Sequence, residues 1–224
     1  MNGARASVLR RLAAHLCAVD LGHPLRVGID GICGSGKTTF GSELVEEVSA
    51  AGRSVVHLDS DGFHQSRDIR YRQGRESAHG YYEDAYDFSS LVRLTLEPLG
   101  PGGRLVYATS VHDLASDEPR VVWNTAARDA VVVFDATFLQ RDELRAFWDL
   151  VVYLDVPREV AYARGVARDA DQIGGVDAAR RAYATRYMAA CDLYVAEQDP
   201  RGRADVVVDN TDPERPSIVR GVDP

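Results

Sequence analysis

Residues 28–44 read GIDGICGSGKTTFGSEL, and the segment within them that decides the fold is GICGSGKT at 31–38. It matches the spacing G-x-x-x-x-G-K-[ST], in which backbone amides and a helix N-terminus surround the oxygens of a phosphate. The apolar pattern LRVGID precedes it at 25–30, and a helical pattern follows it at 37–51. A strand, a glycine-rich loop and a helix in this order predict a phosphate-binding loop beyond the carboxyl end of a strand.

Each residue type in this loop has a predicted task. Gly31, Gly34 and Gly36 let N–H groups converge on phosphate oxygens, because glycine adopts backbone angles that side chains disfavour. Lys37 is the one lysine among 26 lysine and arginine residues, and its compact ammonium fits a space too tight for a planar guanidinium. We predict that Lys37 reaches the β- and γ-phosphates and that the Thr38 hydroxyl binds Mg²⁺. The predicted nucleotide-binding residues are Gly31, Gly34, Ser35, Gly36, Lys37, Thr38 and Thr39.

Further apolar runs indicate the rest of the fold. β-branched runs occur at 54–59, 130–135, 149–155 and 204–210, and helical patterns at 88–97, 141–148, 157–169 and 176–196. Continuous apolar runs separated by helices predict a parallel sheet buried on both faces, in a doubly wound α/β fold. We predict a single domain over residues 1–224, with a β-hairpin-like insert at about 98–124 over the active edge of the sheet.

Aspartates end four of the predicted strands, at Asp30, Asp59, Asp135 and Asp155. Such a residue can act in catalysis or can simply cap the segment that follows it. Asp135, which ends the apolar run VVVFD, is predicted to assist Mg²⁺ beside the loop. In the segment DSDG, Asp59 or Asp61 can orient an attacking hydroxyl and accept its proton; the alternative is that the segment is only a turn.

Composition and charge limit the partners. The net charge of -8 and the pI of about 5.2 argue against general binding to nucleic acid or to an anionic membrane. No apolar run approaches the roughly 20 residues that span a bilayer. The three cysteines match no metal spacing, so we expect a reducing cytoplasm. Residues 1–19 carry arginines and no acid, which fits either a transit peptide or, as we favour, a helix packed on the domain.

Four more motifs complete a pattern that is known from a protein family. DGFH at 61–64, DAYD at 84–87, VYATSVHD at 106–113 and ARGVARD at 163–169 follow the loop in this order. Over residues 24–212 the chain resembles the uridine kinase family of P-loop kinases, with features shared by type I pantothenate kinases and phosphoribulokinases. The resemblance implies a P-loop kinase fold, a substrate-side insert and a helical lid at about 164–180.

The resemblance also implies roles for individual residues. Asp61 would be the catalytic base and would lie near the metal, with Asp135 in the place of a glutamate that assists Mg²⁺. Tyr107 and His112 would contact a pyrimidine base. Arg164 and Arg168 would belong to the lid, and because they are four residues apart they would share one helix face and close over the transferring phosphates. Lys37 and these two arginines complete the predicted catalytic set with Asp61.

Departures from the family pattern concern the acceptor. Tyr81 stands where uridine kinases carry the aspartate that holds the ribose hydroxyls, DGF is closer to the pantothenate kinase form, and Ala161 stands at a lid position that often holds arginine. The resemblance implies ATP- and Mg²⁺-dependent phosphorylation of a primary hydroxyl, with a nucleoside as the first candidate. Alternatives are pantothenate-like, sugar-phosphate or nicotinamide riboside acceptors, or a catalytically silent nucleotide-binding module. Homo-oligomers are compatible with the resemblance.

Overall fold

A computed structural model describes residues 3–222, so the ends of the predicted domain, residues 1–2 and 223–224, lie outside the described part. Within it, six strands form one sheet in the order β2-β5-β1-β6-β7-β8, and two form a separate hairpin. The strands are β1 (Leu25–Asp30), β2 (Val55–Asp59), β3 (Val106–Asp113), β4 (Glu118–Thr125), β5 (Val131–Asp135), β6 (Leu150–Asp155), β7 (Val206–Asp209) and β8 (Ser217–Arg220). All pairings in the large sheet are parallel except that of β7 with β8. The predicted α/β fold is confirmed.

The central strands are apolar throughout because both faces of the sheet are covered. Every residue of β1 and β5 is buried. Successive side chains of a strand point to opposite faces, and β5 shows this directly. Val131 and Val133 join the apolar cluster that includes α1 (Ala4–Ala18) and α2 (Lys37–Ala50), whereas Val132 and Phe134 join the cluster on the other face.

Helices occupy both faces of the sheet. After α1 and α2, the chain forms α3 (Arg67–Arg70), α4 (Ala78–Asp84), α5 (Phe88–Leu91), α6 (Asp142–Arg145), α7 (Arg158–Ile173), α8 (Val176–Ala182), α9 (Met188–Gln198) and α10 (Pro200–Arg203). A 3₁₀ turn spans Asp61–Phe63, and π-helical segments span Val92–Leu96 and Tyr183–Tyr187. Leu9, Leu12 and Leu16 of α1 are fully buried, which confirms a helix packed on the domain. No helix among residues 3–222 is both long and apolar enough to cross a bilayer.

Two helix predictions need correction in their bounds, and two further elements were not predicted. The helix predicted at 141–148 is only the short α6, because the chain turns back toward β6 and the Asp149 amide donates to the Arg26 carbonyl at 2.9 Å. The helix predicted at 157–169 continues to Ile173, where Gly174 ends it with a φ of 101°. Neither α4 nor β8 is predicted from the sequence. β8 is an edge strand whose residues are mostly exposed, so no apolar run marks it.

The predicted insert is a true hairpin. β3 and β4 pair antiparallel, and β3 packs on the Asp61–Phe63 turn. A Cβ added to Gly62 would lie 2.7 Å from the Cβ of Ser110, so the hairpin backbone and this turn touch without an intervening side chain. The helical lid at 164–180 corresponds to the end of α7 and the start of α8. Its movement as a lid and the single-domain description stay predictions.

Candidate active site

A cleft of about 540 Å³ opens beyond the carboxyl ends of β1, β2 and β5. Of the residues predicted for the site, it is lined by Gly34, Lys37, Thr38, Asp61, Tyr81, Asp135 and Arg168. Seven other predicted residues are absent from the described residues that line it: Gly31, Ser35, Gly36, Thr39, Arg164, Tyr107 and His112. The first four belong to the loop or the first turn of α2 and so lie close to lining residues along the chain, whereas Arg164, Tyr107 and His112 come from other segments.

The loop between β1 and α2 has the backbone that its glycines permit. Gly31, Gly34 and Gly36 have φ values of 153°, 81° and 92°, in a region that favours glycine. A Cβ added to Gly34 would lie 2.1 Å from the carbonyl oxygen of Ala161. The loop is therefore pressed against α7, and a side chain at this position would force the two segments apart.

Lys37 folds back over the loop that precedes it. Its Nζ donates to the carbonyl oxygens of Gly31 and Ile32 at 2.9 and 3.0 Å. The Ser35 hydroxyl is buried and has no hydrogen-bond partner among the described residues. Thr39 lies exposed in the first turn of α2. An ammonium already surrounded by oxygen atoms can exchange carbonyl oxygens for phosphate oxygens without leaving the loop.

A hydroxyl and a carboxylate meet at the start of α2. Thr38 Oγ1 donates to Asp135 Oδ2 at 2.8 Å, and Asp135 Oδ1 lies 2.8 Å from Nε2 of His57. Mg²⁺ prefers oxygen ligands and completes its shell with water and substrate phosphates, so one carboxylate and one hydroxyl fit it. Residues 3–222 contain no cluster of three or more His, Cys, Asp or Glu side chains suited to a metal ion. His57, in the strand segment HLD, is missed by the sequence analysis.

The segment DSDG forms a turn that lines the cleft, and the catalytic role of its aspartates stays a prediction. Asp59 pairs in register with Asp135, and its Oδ1 accepts the Asp61 N–H at 2.9 Å, as in a turn. Burial, with the nearby carboxylates of Asp61 and Asp135, raises the pKa of Asp59. Asp61 has a side chain that is 79% exposed, and its Oδ1 lies 3.7 Å from His64 Nε2. Interaction with His64 lowers the pKa of Asp61, so its carboxylate is ionised at neutral pH and free to accept a proton.

The other two strand-end aspartates are structural. Asp30 is fully buried, and its Oδ2 accepts hydrogen bonds from Tyr194 Oη at 2.6 Å and Gln140 Nε2 at 3.0 Å. Burial raises the pKa of Asp30. Asp155 forms an ion pair with Arg201 at 2.7 Å. Neither residue lines the cleft, so strand position alone did not distinguish them from Asp59 and Asp135.

The two predicted lid arginines have different neighbours in the structure, and their closure over the transferring phosphates stays a prediction. Arg168 lines the cleft; its Nε lies 2.7 Å from Asp169 Oδ1, and its Nη2 lies 3.3 Å from Tyr183 Oη. Arg164 instead donates to the carbonyl oxygens of Asn210 and Thr211 at 3.1 and 2.6 Å. The segment after β7 offers unpaired carbonyl groups there, and they hold the Arg164 guanidinium outside the cleft.

The two residues predicted to contact a pyrimidine base also lie outside the cleft. Tyr107 is fully buried and faces a second cavity beside β2. His112 is buried, and its Nε2 lies 3.1 Å from Oδ1 of Asp117. The two residues are five positions apart on β3, an odd separation that regular strand alternation assigns to opposite faces, and the pairing of β3 with β4 is irregular between Ala108 and His112. Their contact with the acceptor stays a prediction.

Aromatic side chains that the sequence analysis missed form one wall of the cleft. They are Tyr71, Tyr86, Tyr183 and Tyr187, and they join the predicted Tyr81. Tyr81 Oη lies 3.2 Å from Tyr86 Oη, and the Tyr81 and Tyr187 rings meet edge to face at 5.0 Å. Burial raises the pKa of Tyr81. A signal was present in the predicted helix at 176–196, where Tyr183 and Tyr187 stand four residues apart and therefore on one face.

The loop cysteine is tied to α9. The Cys33 N–H donates to Sγ of Cys191 at 3.3 Å, and the Cys33 thiol lies 3.9 Å from Tyr81 Oη. The hydrogen bond with the Cys191 thiol lowers the pKa of Cys33, although burial opposes the shift.

Comparisons with known proteins cover most of the chain. Residues 27–214 match the sequence model of the Phosphoribulokinase / Uridine kinase family. A uridine kinase of Brevibacillus brevis is 26% identical over 158 residues, which are 69% of this chain and 70% of that protein. A uridine kinase of Latilactobacillus sakei is 26% identical over 153 residues, 67% and 69% of the two chains. A solved structure described as a possible uridine kinase from Bacillus stearothermophilus superposes with a TM-score of 0.71 at 26% identity, over 90% of this chain and 97% of that one.

Proposed function

The chain belongs to the phosphoribulokinase and uridine kinase family, and from this premise we propose that it transfers the γ-phosphoryl group of ATP to a primary hydroxyl of a small molecule. The family and the fold make it a P-loop kinase and a phosphotransferase with an alcohol acceptor. One observation supports the proposal most: the loop, the Thr38–Asp135 pair and the ionised Asp61 carboxylate border a single cleft.

At the nucleotide end, the loop amides and Lys37 would bind the β- and γ-phosphates. Thr38 and Asp135, with Asp61 nearby, would hold Mg²⁺, which when bound neutralises charge on the phosphate oxygens. The helix that begins at Lys37 adds the favourable dipole of its N-terminus. Arg168, which also lines the cleft, would balance the negative charge that moves during transfer.

At the reacting end, Asp61 would orient the acceptor and take its proton. The hydroxyl oxygen forms a bond to the γ-phosphorus as the bond from that phosphorus to the β–γ bridging oxygen breaks, and ADP leaves. The acceptor proton passes to the Asp61 carboxylate. Since phosphoryl transfer asks little covalent chemistry of the protein, most of the rate would come from positioning and electrostatic stabilisation.

Two acceptor classes compete. A nucleoside is the first candidate, because the similar curated proteins are uridine kinases. A non-nucleoside acceptor is the second, since Tyr107 and His112 lie outside the cleft and Tyr81 replaces the aspartate expected to hold a ribose diol. Homo-oligomer formation stays a prediction that sedimentation can test.

An ADP-release assay with a panel of acceptors tests the proposal. The panel contains uridine, cytidine, nicotinamide riboside, pantothenate and sugar phosphates, with ATP and Mg²⁺ present. We expect one acceptor class to stimulate ADP release strongly and EDTA to stop it. Asp61→Asn is the matched control, because it should bind ATP and release little ADP. ATP binding with no stimulation by any acceptor would instead favour the silent nucleotide-binding module.

A further inference from the structure

We propose that the acceptor carries an anionic group, a phosphate monoester or a carboxylate, and that Arg186 and Arg70 bind this group at the end of the cleft away from the nucleotide loop. The inference rests on the proposed kinase function and deepens it, because it names the chemical class of the acceptor. Both arginines line the cleft, and neither belongs to the motifs that identify the family.

Arg186 is a buried cation without a counter-ion among the residues that the structure describes. It is 7% exposed and lies among tyrosine rings; its guanidinium carbon is 5.1 Å from the ring centroids of both Tyr71 and Tyr81 and 5.9 Å from that of Tyr187. Its Nη1 donates to the Arg75 carbonyl. Within residues 3–222 no carboxylate forms an ion pair with it. The faces of tyrosine rings offset the cost of burying a cation only in part. The remaining N–H donors of the Arg186 guanidinium can therefore bind an anion from outside the protein.

Arg70 adds an unused donor. It is 8% exposed, and its Nη2 lies 3.2 Å from Oδ1 of Asp117, a carboxylate that also contacts His112 and the Arg67 N–H. The Nε of Arg70 is buried and has no hydrogen-bond partner among the residues that the structure describes. A buried donor left unpaired costs free energy, and a ligand that accepts from it recovers that cost.

The two arginines border one ring. The guanidinium carbon of Arg70 lies 5.4 Å from the centroid of the Tyr71 ring, compared with 5.1 Å for Arg186. Phosphate and carboxylate groups are the anions that arginine forks bind with parallel hydrogen bonds. The shared Tyr71 ring, itself in the cleft wall, would form the floor between the two cations.

One tyrosine contacts both the arginine end of the cleft and the nucleotide loop. Tyr81 bridges the two ends of the cleft, because its ring lies 5.1 Å from the Arg186 guanidinium carbon while its Oη lies 3.9 Å from Sγ of Cys33 in the nucleotide loop. Near Asp61 the cleft contains the carboxylates of Asp59 and Asp135 as well. Those carboxylates repel an anion, so a charged acceptor would enter with its anionic group toward the arginines and its hydroxyl toward Asp61.

Pairs of ligands that differ by one anionic group test the inference in the intact protein. With the loop occupied by Mg²⁺ and a non-hydrolysable ATP analogue, calorimetry measures binding of D-ribose 5-phosphate against D-ribose and of D-glycerate against glycerol. We expect at least one charged member to bind, and its neutral partner to bind about 10- to 100-fold more weakly. Binding of the phosphate ester alone or of the carboxylate alone identifies the anion. Equal binding within both pairs, or no binding of either charged ligand or of inorganic phosphate, overturns the inference.

Variants locate the anion. Arg186→Gln and Arg70→Gln should each weaken the charged ligand about 10-fold or more while the affinity for ATP changes less than about twofold. Arg186→Lys, which keeps the charge, should restore part of the affinity. Arg181→Gln is the matched control, because Arg181 is exposed on α8 and does not line the cleft. If Arg186→Gln does not fold, Arg70→Gln carries the test.

Two outcomes separate this inference from the kinase proposal. If Arg186→Gln weakens ATP as much as the charged ligand, Arg186 serves the nucleotide and the inference is wrong. If only neutral acceptors such as uridine stimulate ADP release, the kinase proposal stands and the anionic acceptor is excluded. If no acceptor of either charge does, the kinase proposal fails even where the arginines bind an anion.

Discussion

The nucleotide end and the acceptor end of the cleft are built in different ways. At the nucleotide end, one short loop presents backbone groups and Lys37, and close contact of Gly34 with the Ala161 carbonyl holds the loop in place. At the acceptor end, side chains from α3, α4 and the Tyr183–Tyr187 segment meet around Arg186. Backbone groups cannot be replaced by substitution, whereas side chains can. Phosphate binding at the nucleotide end is therefore constrained by the backbone of the loop. At the acceptor end, substitution of side chains can change which acceptor binds.

The largest expected effect comes from breaking the nucleotide end. Lys37→Arg should lower turnover by about 10³- to 10⁴-fold, because a wide planar fork cannot replace a point charge held by the carbonyl oxygens of Gly31 and Ile32. Steady-state ADP release measures the effect. Arg181→Lys, at an exposed position on α8, is the control for an exchange of these two cations. Near-normal turnover of Lys37→Arg would show that the loop does not require an ammonium.

The next effect isolates the proton acceptor between the two ends. Asp61→Asn should lower turnover by about 10²- to 10³-fold with little change in ATP binding, because the amide cannot accept the acceptor proton. Single-turnover ADP formation and nucleotide calorimetry give the two quantities. Asp155→Asn is a suitable control, since that carboxylate pairs with Arg201 outside the cleft. An unchanged rate for Asp61→Asn would remove Asp61 from the chemistry.

A smaller effect separates the two predicted lid arginines. Arg168→Gln should lower turnover about 10- to 100-fold, since Arg168 is the one of the pair that lines the cleft. Arg164→Gln should change turnover by less than about threefold and should lower the melting temperature, because it loses hydrogen bonds to the carbonyl groups of Asn210 and Thr211. The reverse ranking in turnover would mean that α7 reorients when the nucleotide binds.

The smallest effect compares two tyrosine hydroxyls. Tyr81→Phe should raise the acceptor KM about threefold to tenfold, because it removes a hydroxyl that lies in the cleft beside Tyr86. Tyr107→Phe should leave both KM values unchanged, since Tyr107 faces the second cavity. Initial rates over a range of acceptor concentrations distinguish the variants. A raised acceptor KM in Tyr107→Phe would restore the role that the sequence resemblance predicted for it.

The nucleotide end was predictable because its signal is local. The motif at 31–38 lies between a strand and a helix, and the contact of Thr38 with Asp135 follows from the rule that parallel strands end at one edge of the sheet. The spacing of glycines also predicts their backbone angles. The loop residues are neighbours in the sequence, and the distant Asp135 is brought to them by a general rule of the fold.

The acceptor end was harder because its partners are far apart along the chain. No short sequence spacing connects Arg186 with Tyr71 or Tyr81. Tyr71 directly follows α3, and Tyr81 lies in α4. Tyr107 and His112 were predicted from family resemblance, but Tyr107 faces the second cavity and His112 contacts Asp117. Arg164 lies on α7, as the helical spacing predicts, but its guanidinium donates to the carbonyl groups of Asn210 and Thr211. These hydrogen bonds depend on tertiary neighbours, which the spacing of residues along a helix does not predict.

The solitary lysine has a practical consequence for chemistry in solution. Because Lys37 provides the one ε-amino group of the chain, an amine-directed reagent that labels side chains can modify a single position, and that position is inside the nucleotide loop. The extent of side-chain labelling would then report the fraction of protein molecules whose loop is empty. Labelling of Lys37 would therefore measure the occupancy of the nucleotide loop without an introduced reporter group.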